Sequence, residues 1–136
     1  VGGGGSGATP SSPAPLPPTV AFVRYNDGPD HATLTTPPSG YRREGTLGLL
    51  YTTGAVAGTR PLYACWLGTD EFTSLRSDCE GQRVGGRLGW VYDSAHTSPA
   101  TVPLMRCKLN GEHFDSKYSD CEGQQIESQL GYMRAN

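Results

Sequence analysis

The sequence predicts an all-β domain built from three copies of one unit of about forty residues, arranged as a β-trefoil. Residues 61–92 recur at residues 103–134 without a gap, and both copies contain Ser-Asp-Cys-Glu-Gly-Gln. So many matches at one offset indicate duplication. No segment shows a convincing 3.6-residue apolar period, which excludes a helical bundle. The 19 glycines and 11 prolines in 136 residues are typical of a turn-rich β domain.

A third, more eroded copy lies upstream of these two. Phe22-Val23-Arg24-Tyr25 aligns with Leu62-Tyr63-Ala64-Cys65, and Leu47-Gly48-Leu49 aligns with Leu88-Gly89-Trp90. One repeat alone cannot bury its apolar face, so the copies must share a core. A β-trefoil closes three such units into one barrel with a pseudo-threefold axis and no free edges. A three-bladed propeller is the alternative, and it would fall below the usual number of blades.

The chain divides into a linker, residues 1–18, and a single three-repeat domain, residues 19–136. The repeats span residues 19–59, 60–101 and 102–136. The linker begins with a Gly-rich run and continues with five prolines among Ser and Ala, so it combines a flexible part with a stiffer, extended part. The first seven residues could be a remnant of expression. We favour a natural tether to an upstream module, because the Ala-Thr-Pro-Ser-Ser-Pro run does not resemble cloning sequence.

Each repeat is predicted to contain three strands in the same order. The first strand spans residues 20–25, 61–67 or 102–109 and leads into a short polar hairpin turn. The second strand follows the turn, and the third ends in Leu-Gly and a large apolar residue. Three sets of equivalent positions are apolar in every copy and are predicted to form the shared core: Phe22, Leu62 and Leu104; Leu47, Leu88 and Leu130; Leu49, Trp90 and Tyr132.

The four cysteines are predicted to form two disulfides, one within each of the last two repeats. Cys65 and Cys79 have the same spacing as Cys107 and Cys121, and the first repeat lacks both partners together. A zinc site is the alternative, but no C-x₂-C pair is present. Each bond would close a loop of about 15 residues and contribute about 3 kcal/mol in the chain-entropy model. Disulfides imply an oxidising, extracellular setting, so we expect a secreted protein.

Composition excludes several classes of function. The formal charge of −2 and the pI near 5.9 give no basic footprint for nucleic acid or anionic membranes. No apolar run approaches the roughly 18 residues of a membrane span. No hydrolase, metalloprotease or phosphate-loop motif is present, and His96 lies in a Ser/Thr-rich connector, where a solvated side chain is expected. We therefore expect a monomer with no catalytic residue, bound metal or cofactor.

An acidic residue followed by His or Glu recurs just after the first hairpin turn of every repeat. This triplicate feature places hydrogen-bonding groups at a loop rim, beside aromatic and basic residues, as a sugar site requires. The alternative, which we weigh equally, is structural: the acid caps the turn and the His fixes the hairpin. The predicted ligand-binding residues are Asp30, His31, Asp70, Glu71, Glu112 and His113, together with Tyr25 and Trp66. Trp66 is included because its counterparts are polar, so it is a candidate exposed aromatic.

The repeated Cys-Glu-Gly-Gln motif is predicted to be a structural turn held by the disulfide. Gly81 and Gly123 are expected to adopt a positive φ, and Gly40 fills the same place in the first repeat. Its Glu and Gln could instead face a ligand. Trp90 and Tyr132 are predicted to lie in the core rather than to form a binding platform.

Laid out in this way, the pattern Leu-Tyr-x-Cys…Asp/Glu-x-Phe…Cys-Glu-Gly-Gln…Leu-Gly-aromatic resembles short repeats in secreted actinobacterial proteins. These are similar to an uncharacterised bacterial and fungal repeat family with an Asp-His-Phe core motif. The resemblance covers residue 19 to the last residue, and it fits Asp30-His31 and His113-Phe114 better than Asp70-Glu71-Phe72, where Glu replaces His. It implies a lectin-like appendage, joined by a linker to a hydrolase, protease or toxin component.

The sequence therefore predicts a secreted carbohydrate-binding module with a glycan or polysaccharide partner. It would hold a tethered enzyme or toxin component against glycan surfaces. The alternative is a protein-interaction or inhibitor module of β-trefoil type that acts through the connectors at residues 52–59 and 93–101. An enzyme is the weakest of the three hypotheses.

Overall fold

The computed structural model describes residues 16–136, so nearly all of the predicted linker lies outside the described residues. Nine strands follow one another, three in each repeat. In chain order they are β1 Thr19–Asn26, β2 His31–Leu34, β3 Arg42–Tyr51, β4 Thr59–Leu67, β5 Asp70–Ser74, β6 Arg83–Tyr92, β7 Thr101–Leu109, β8 Glu112–Ser116 and β9 Gln125–Arg134. Two short 3₁₀ turns, Cys79–Gly81 and Cys121–Gly123, are the only helical elements within the described part. No helix there is long and apolar enough to cross a membrane.

The predicted all-β class is confirmed. In each repeat the first strand lies in the middle and pairs antiparallel with the second and third strands. The third strands β3, β6 and β9 also pair with one another, through Tyr51 and Trp90, Tyr92 and Tyr132, and Arg134 and Leu49. The result is one open, nine-stranded antiparallel sheet whose edges are β2, β5 and β8. A closed trefoil barrel is not shown.

One glycine in each third strand allows the three repeats to approach closely. A Cβ atom on Gly48 would lie 2.8 Å from Cβ of Met133, and one on Gly89 would lie 2.8 Å from the carbonyl oxygen of Tyr51. A Cβ atom on Gly131 would lie 2.5 Å from the carbonyl oxygen of Tyr92. Each repeat therefore packs its glycine against the preceding repeat in a cycle, and a larger residue at these positions would force its neighbours to shift.

The shared core contains most of the predicted residues but differs by one position in each third strand. Phe22, Leu62 and Leu104 are fully buried together, and Leu47 and Leu130 pack beside them, with Leu88 partly buried. The third predicted set was wrong. The core residues there are the next ones along the chain, Leu50, Val91 and Met133, and not Leu49, Trp90 and Tyr132.

A β-bulge explains this difference. In the first repeat Phe22 pairs with Gly48 and Val23 pairs with Thr46, so Leu47 is an extra residue in β3. The same register shift occurs in the other two repeats. An extra residue breaks the alternation of side chains between the two faces of a sheet. Leu47 and Leu50 therefore both reach the core, three residues apart.

Both predicted disulfides are present, Cys65–Cys79 and Cys107–Cys121, with Cα atoms 5.5 and 5.8 Å apart. All four cysteines are thus paired, as is typical of proteins from oxidising compartments. In the first repeat Tyr25 stands where the others have the first cysteine, and it is buried. Its cross-strand partner is Ala32, whereas both cysteines pair with Phe. A large residue opposite a small one thus replaces a cystine opposite a phenylalanine.

Candidate binding site at the repeat boundaries

The second strands of the three repeats converge, and their first acidic residues meet. Carboxylate oxygens of Asp30, Asp70 and Glu112 lie within 4.8 Å of one another. The three acids of the triplicate feature therefore come together at one place instead of lying at three separate rims. This is the one group of acids within the described residues close enough to share a cation. However, Asp70 and Glu112 are already engaged by histidines of the neighbouring repeats.

The boundary between the third and first repeats, here the 3/1 boundary, holds a cluster of five charged or ionisable side chains. Glu112 accepts a hydrogen bond from the backbone N–H of His31, and its other oxygen lies 2.9 Å from Nδ1 of the same residue. Nε2 of His31 lies 3.1 Å from Glu44. Arg24 donates to Glu44 at 2.6 Å and to Glu122 at 2.7 Å. The first repeat thus supplies Arg, His and Glu, and the third supplies two acids.

The boundary between the second and third repeats, the 2/3 boundary, has the same arrangement, with Asp70 in the place of Glu112. Asp70 contacts both the backbone N–H and Nδ1 of His113, at 2.9 and 2.5 Å. Nε2 of His113 lies 3.1 Å from Glu127. Arg106 donates to Glu127 at 2.6 Å and to Glu80 at 2.7 Å. Arginine, histidine and glutamate again come from one repeat and two acids from its neighbour.

Each cluster forms one wall of an open cleft, and the neighbouring repeat supplies the other wall. Cleft 1, at the 3/1 boundary, has a volume of about 150 Å³. Cleft 2, at the 2/3 boundary, has a volume of about 210 Å³. Cleft 1 is lined by Arg24, His31, Leu109, Phe114, Glu122 and Gln124, and cleft 2 by Arg106, His113, Leu67, Phe72, Glu80 and Gln82, with Lys108 and Glu127. Both are smaller than pockets that enclose drug-sized ligands, which span about 300–1,000 Å³.

The aromatic residue in each cleft is covered by the charged wall. The Arg24 guanidinium lies 5.7 Å from the Phe114 ring centre, and the His31 ring lies 5.8 Å from it. Arg106 and His113 cover Phe72 in the same way. Cation–π contacts of this kind add to the ion pairs in fixing the arginine. The apolar surface that a ligand can reach is therefore aliphatic.

The acids that reach across to the arginines sit on the repeated 3₁₀ turns. Glu80 and Glu122 both have a φ of 57°, a left-handed conformation that is uncommon for residues other than glycine. Hydrogen bonds from Ser74 and Ser116 hold their carboxylates at 2.7 and 2.6 Å. The predicted positive φ of Gly81, the next residue, is confirmed at 88°. Each turn therefore reverses the chain and also positions its glutamate side chain against the arginine of the neighbouring repeat.

The arginines lower the pKa of these two carboxylates. A hydrogen bond from Arg106 lowers the pKa of Glu80, and one from Arg24 lowers the pKa of Glu122. Hydrogen bonds that favour the charged form of an acid act in this direction. Both glutamates are therefore ionised well below neutral pH.

The third boundary, between the first and second repeats and here called the 1/2 boundary, lacks four of the five members of the cluster and retains only the acid, Asp30. Each third strand has a second bulge, whose extra residue is Glu44, Gly85 or Glu127, so these two glutamates are called the bulge glutamates. At the 1/2 boundary Ala64 replaces the arginine, Glu71 the histidine and Gly85 the bulge glutamate, while Ser39 replaces the acid on the turn. The Trp66 ring lies over Gly85, where a Cβ atom would be 2.9 Å from its Nε1 atom. The tryptophan thus covers the space that a glutamate occupies at the other two boundaries.

Glu71 has a different environment from the two histidines that it replaces. Its carboxylate is buried and accepts a hydrogen bond from the backbone N–H of Thr33 at 2.9 Å, while its Oε2 atom has no partner among the described residues. Burial, reinforced by the charge of Asp115, raises its pKa well above the usual value. Asp115 is buried as well, with Thr73 donating to it at 2.5 Å, and burial raises its pKa to about 6.

The predicted site residues thus divide into two groups. His31, His113, Asp70 and Glu112 lie at the two clefts or directly behind them. Of the other four, Asp30 meets Asp70 and Glu112 but contacts no histidine within the described residues, and Glu71 is buried at the 1/2 boundary. Tyr25 is buried in place of a disulfide, and Trp66 is half-buried beneath Arg83. His96, which we expected to be solvated, stacks on Tyr92 with ring centres 4.0 Å apart.

The arginines, the bulge glutamates and the cleft leucines were not among the predicted ligand-binding residues. A signal for them was present in the sequence. Arg24 and Arg106, and likewise Glu44 and Glu127, occur in the repeats that have histidine and are missing where Glu71 replaces it. Joint presence and joint absence identified the disulfides, and the same test applied to charged residues identifies this cluster.

Comparison of the chain with protein-family models, curated proteins and solved structures gave no match.

Proposed function

We propose that the domain is a carbohydrate-binding module whose two sites are cleft 1 and cleft 2. The observation that carries this proposal is the internal comparison of the three boundaries. The 1/2 boundary closes without arginine, histidine or bulge glutamate, through strand pairing, the close approach at Gly89 and the hydrogen bond from Thr33 to Glu71. The charged cluster is therefore not required to join two repeats. Its presence as a complete set at the other two boundaries favours a role beyond holding the fold together.

The chemistry of the clefts suits a sugar. Glutamate and glutamine at the cleft surface can accept and donate hydrogen bonds to hydroxyl groups, and the leucines offer an apolar contact for C–H groups. The ion pairs hold the polar wall in one conformation before a ligand arrives, which reduces the entropy lost on binding. The left-handed backbone of Glu80 and Glu122 supports the same interpretation, because strained residues cluster at binding sites. Each cleft has room for about one ring.

The proposal extends to the wider role of the chain. We propose a secreted, non-enzymatic module that targets a tethered enzyme or toxin component to glycan surfaces, in keeping with the resemblance to secreted actinobacterial repeats. Single sugar sites often bind near millimolar, about 4 kcal/mol, and two sites on one molecule would add avidity on a polymer. We also propose a pseudo-threefold, β-trefoil-like arrangement of the repeats. The cyclic contacts at Gly48, Gly89 and Gly131 support it.

The test is binding to a polysaccharide and glycan panel, followed by calorimetry. Gln82 and Gln124 are exposed, line the two clefts and make no side-chain hydrogen bond within residues 16–136, so replacing them leaves the ion pairs intact. Two sites per molecule are expected in the natural sequence, one after Gln124→Ala and none after both changes. Gln125→Ala, an exposed neighbour outside the clefts, is the matched control.

Two results would count against the proposal. The first is the absence of binding across the whole panel. The second is binding that survives the double change but is lost when the connectors at residues 52–59 or 93–101 are replaced, which would favour the protein-interaction alternative.

A further inference from the structure

We infer that the sugar recognised by the two clefts carries an N-acetyl group, so that the ligand class is an N-acetylhexosamine and not a simple hexose or an acidic sugar. This inference rests on the proposed function and specifies the ligand of the same two clefts. Three features of the clefts support it: the kind of apolar surface, the free amide groups and the balance of charge.

The accessible apolar surface is aliphatic, and it extends beyond the clefts. Leu109 and Leu67 line them, and the strands that leave the clefts carry Ile126 and Val84, which are 53% and 50% exposed. The phenylalanines are covered, so an aromatic platform for stacking a whole sugar ring is not exposed there. Branched aliphatic side chains instead suit a small apolar substituent such as a methyl group.

The free amides complement the remainder of an acetamido group. Gln124 and Gln82 occupy equivalent positions in the two clefts, and each side chain offers one carbonyl acceptor and one N–H₂ donor. An acetamido group presents an N–H and a C=O, so one glutamine can satisfy both at once. A hydroxyl group at the same ring position would use only part of this capacity.

The charge balance disfavours an anionic sugar. The cluster at the 3/1 boundary contains three acids, Glu44 and Glu122 on Arg24 and Glu112 on His31. The Nε, Nη1 and Nη2 atoms of Arg24 all donate to protein oxygens. Four of the five N–H donors of this guanidinium are thus used, so it cannot make a two-point contact with a ligand carboxylate or sulfate. The 2/3 boundary has the additional cation Lys108, but it also has three carboxylates, of which Glu80 and Glu127 line cleft 2 and Asp70 lies behind it. A neutral substituent avoids repulsion in both clefts.

The apolar wall and the charged wall behave as one unit. The first repeat would supply the apolar wall at the 1/2 boundary, yet it has Asp27 in place of the leucine, Tyr41 in place of the glutamine and Arg43 in place of the exposed aliphatic residue. The charged wall from the second repeat is missing at this same boundary. Both walls are thus present together twice and absent together once, as expected if one ligand contacts both.

Titration calorimetry with monosaccharides tests the inference. We expect N-acetylglucosamine or N-acetylgalactosamine to bind at least tenfold more tightly than the parent hexose, and more tightly than glucuronic acid. Leu67→Ala with Leu109→Ala should reduce this preference to less than threefold, while Gln125→Ala should leave it unchanged. Circular dichroism would confirm that each variant is folded.

The outcomes separate this inference from the proposed function. Equal binding of hexose and N-acetylhexosamine, or tighter binding of glucuronic acid, would overturn the acetamido specificity and leave the carbohydrate proposal standing. Equal binding of fucose would show that a methyl group suffices without an amide, which would also overturn it. The absence of binding by every sugar would overturn both.

Discussion

The carboxylate of Glu71 accepts a hydrogen bond from the backbone N–H of Thr33, so a buried acid joins the second repeat to the first. At the other two boundaries a histidine occupies the position of Glu71 and contacts an acid of the adjacent repeat. The 1/2 boundary thus has an acid in place of a histidine, and this substitution determines how the domain should respond to pH.

Glu71→Gln should stabilise the domain at neutral pH. Burial and the charge of Asp115 raise the pKa of Glu71 in the folded state, so the folded protein keeps a proton that the unfolded chain releases above about pH 4.5. Stability is therefore lost as pH rises from that value towards the folded pKa. Glutamine retains the acceptor for Thr33 without a charge. We expect the melting temperature at pH 7 to rise by several degrees, and the melting temperature should depend less on pH between pH 4.5 and 7.

The matched control for this change is Glu80→Gln, which should lower the stability at pH 7 instead of raising it. The hydrogen bond from Arg106 lowers the pKa of Glu80, so its contribution to stability is present above about pH 4.5 and is lost as pH falls through the folded pKa. This variant should therefore be less stable than the natural sequence at pH 7 and approach it in acid. Calorimetric scans from pH 3 to 8 measure both shifts. A lower melting temperature of Glu71→Gln at pH 7 would contradict the first prediction, and a higher one of Glu80→Gln would contradict the second.

Gly131→Ala should destabilise the domain strongly, because the added methyl group would lie 2.5 Å from the carbonyl oxygen of Tyr92. Backbone cannot yield as a flexible side chain can, so the third strands must move apart. We expect a loss of about 3 kcal/mol or more in the free energy of unfolding, or failure to fold. Gly45→Ala is the control, since nothing lies within 4 Å of its Cβ position. Equal stability of the two variants in urea titrations would contradict the close cyclic packing.

The repeats, the all-β class and both disulfides could be predicted because they depend on matches at one sequence offset. Which residues of each third strand point to the core could not be predicted. A bulge at Leu47 adds one residue to β3. Strict alternation ignores this extra residue and places Leu49 in the core, whereas the core residue is Leu50. Nothing in a single sequence marks a bulge of this kind. The Leu-Gly pair that accompanies it is visible, but its meaning depends on the close approach of another strand.

The candidate site was predictable in part of its residues but not in its geometry. The acid and the histidine of each repeat were singled out, yet they were assigned to three separate rims. In the structure His113 contacts Asp70 of the preceding repeat, not Glu112 of its own. Which repeats adjoin, and through which strands, depends on tertiary packing that an internal alignment does not contain. The sequence indicates which repeats adjoin only through the residues that are missing together from the first and second repeats.

Removing either disulfide, by Cys65→Ala with Cys79→Ala or by the equivalent pair in the third repeat, should cost about 3 kcal/mol. The two losses should be similar, because both bonds close loops of the same length, with a sequence separation of 14. The first repeat has Tyr25 in place of a cystine and should be insensitive to reductant. Urea unfolding with and without reductant measures all three cases, and a large difference between the two pairs would argue against a common effect on the unfolded chain.

Rebuilding the charged wall at the 1/2 boundary separates its structural effect from binding. The changes are those that restore the residues of the other boundaries: Ser39→Glu, Ala64→Arg, Glu71→His and Gly85→Glu, with Trp66→Lys to free the space over Gly85. They replace a buried acid by a histidine that can pair with Asp30, and they add an arginine between two glutamates. We therefore expect a higher melting temperature at pH 7.

The number of sugar sites in this rebuilt variant should nevertheless remain two. Its first repeat still has Asp27 and Tyr41 where the clefts have leucine and glutamine, so the apolar wall and the amide are missing. Calorimetry should give the same stoichiometry as the natural sequence, with unchanged affinity. A third site in this variant would show that the charged wall alone binds the ligand, and the two-walled description of the clefts would then be wrong. Adding Asp27→Leu and Tyr41→Gln completes the second wall, and only then should the stoichiometry rise to three.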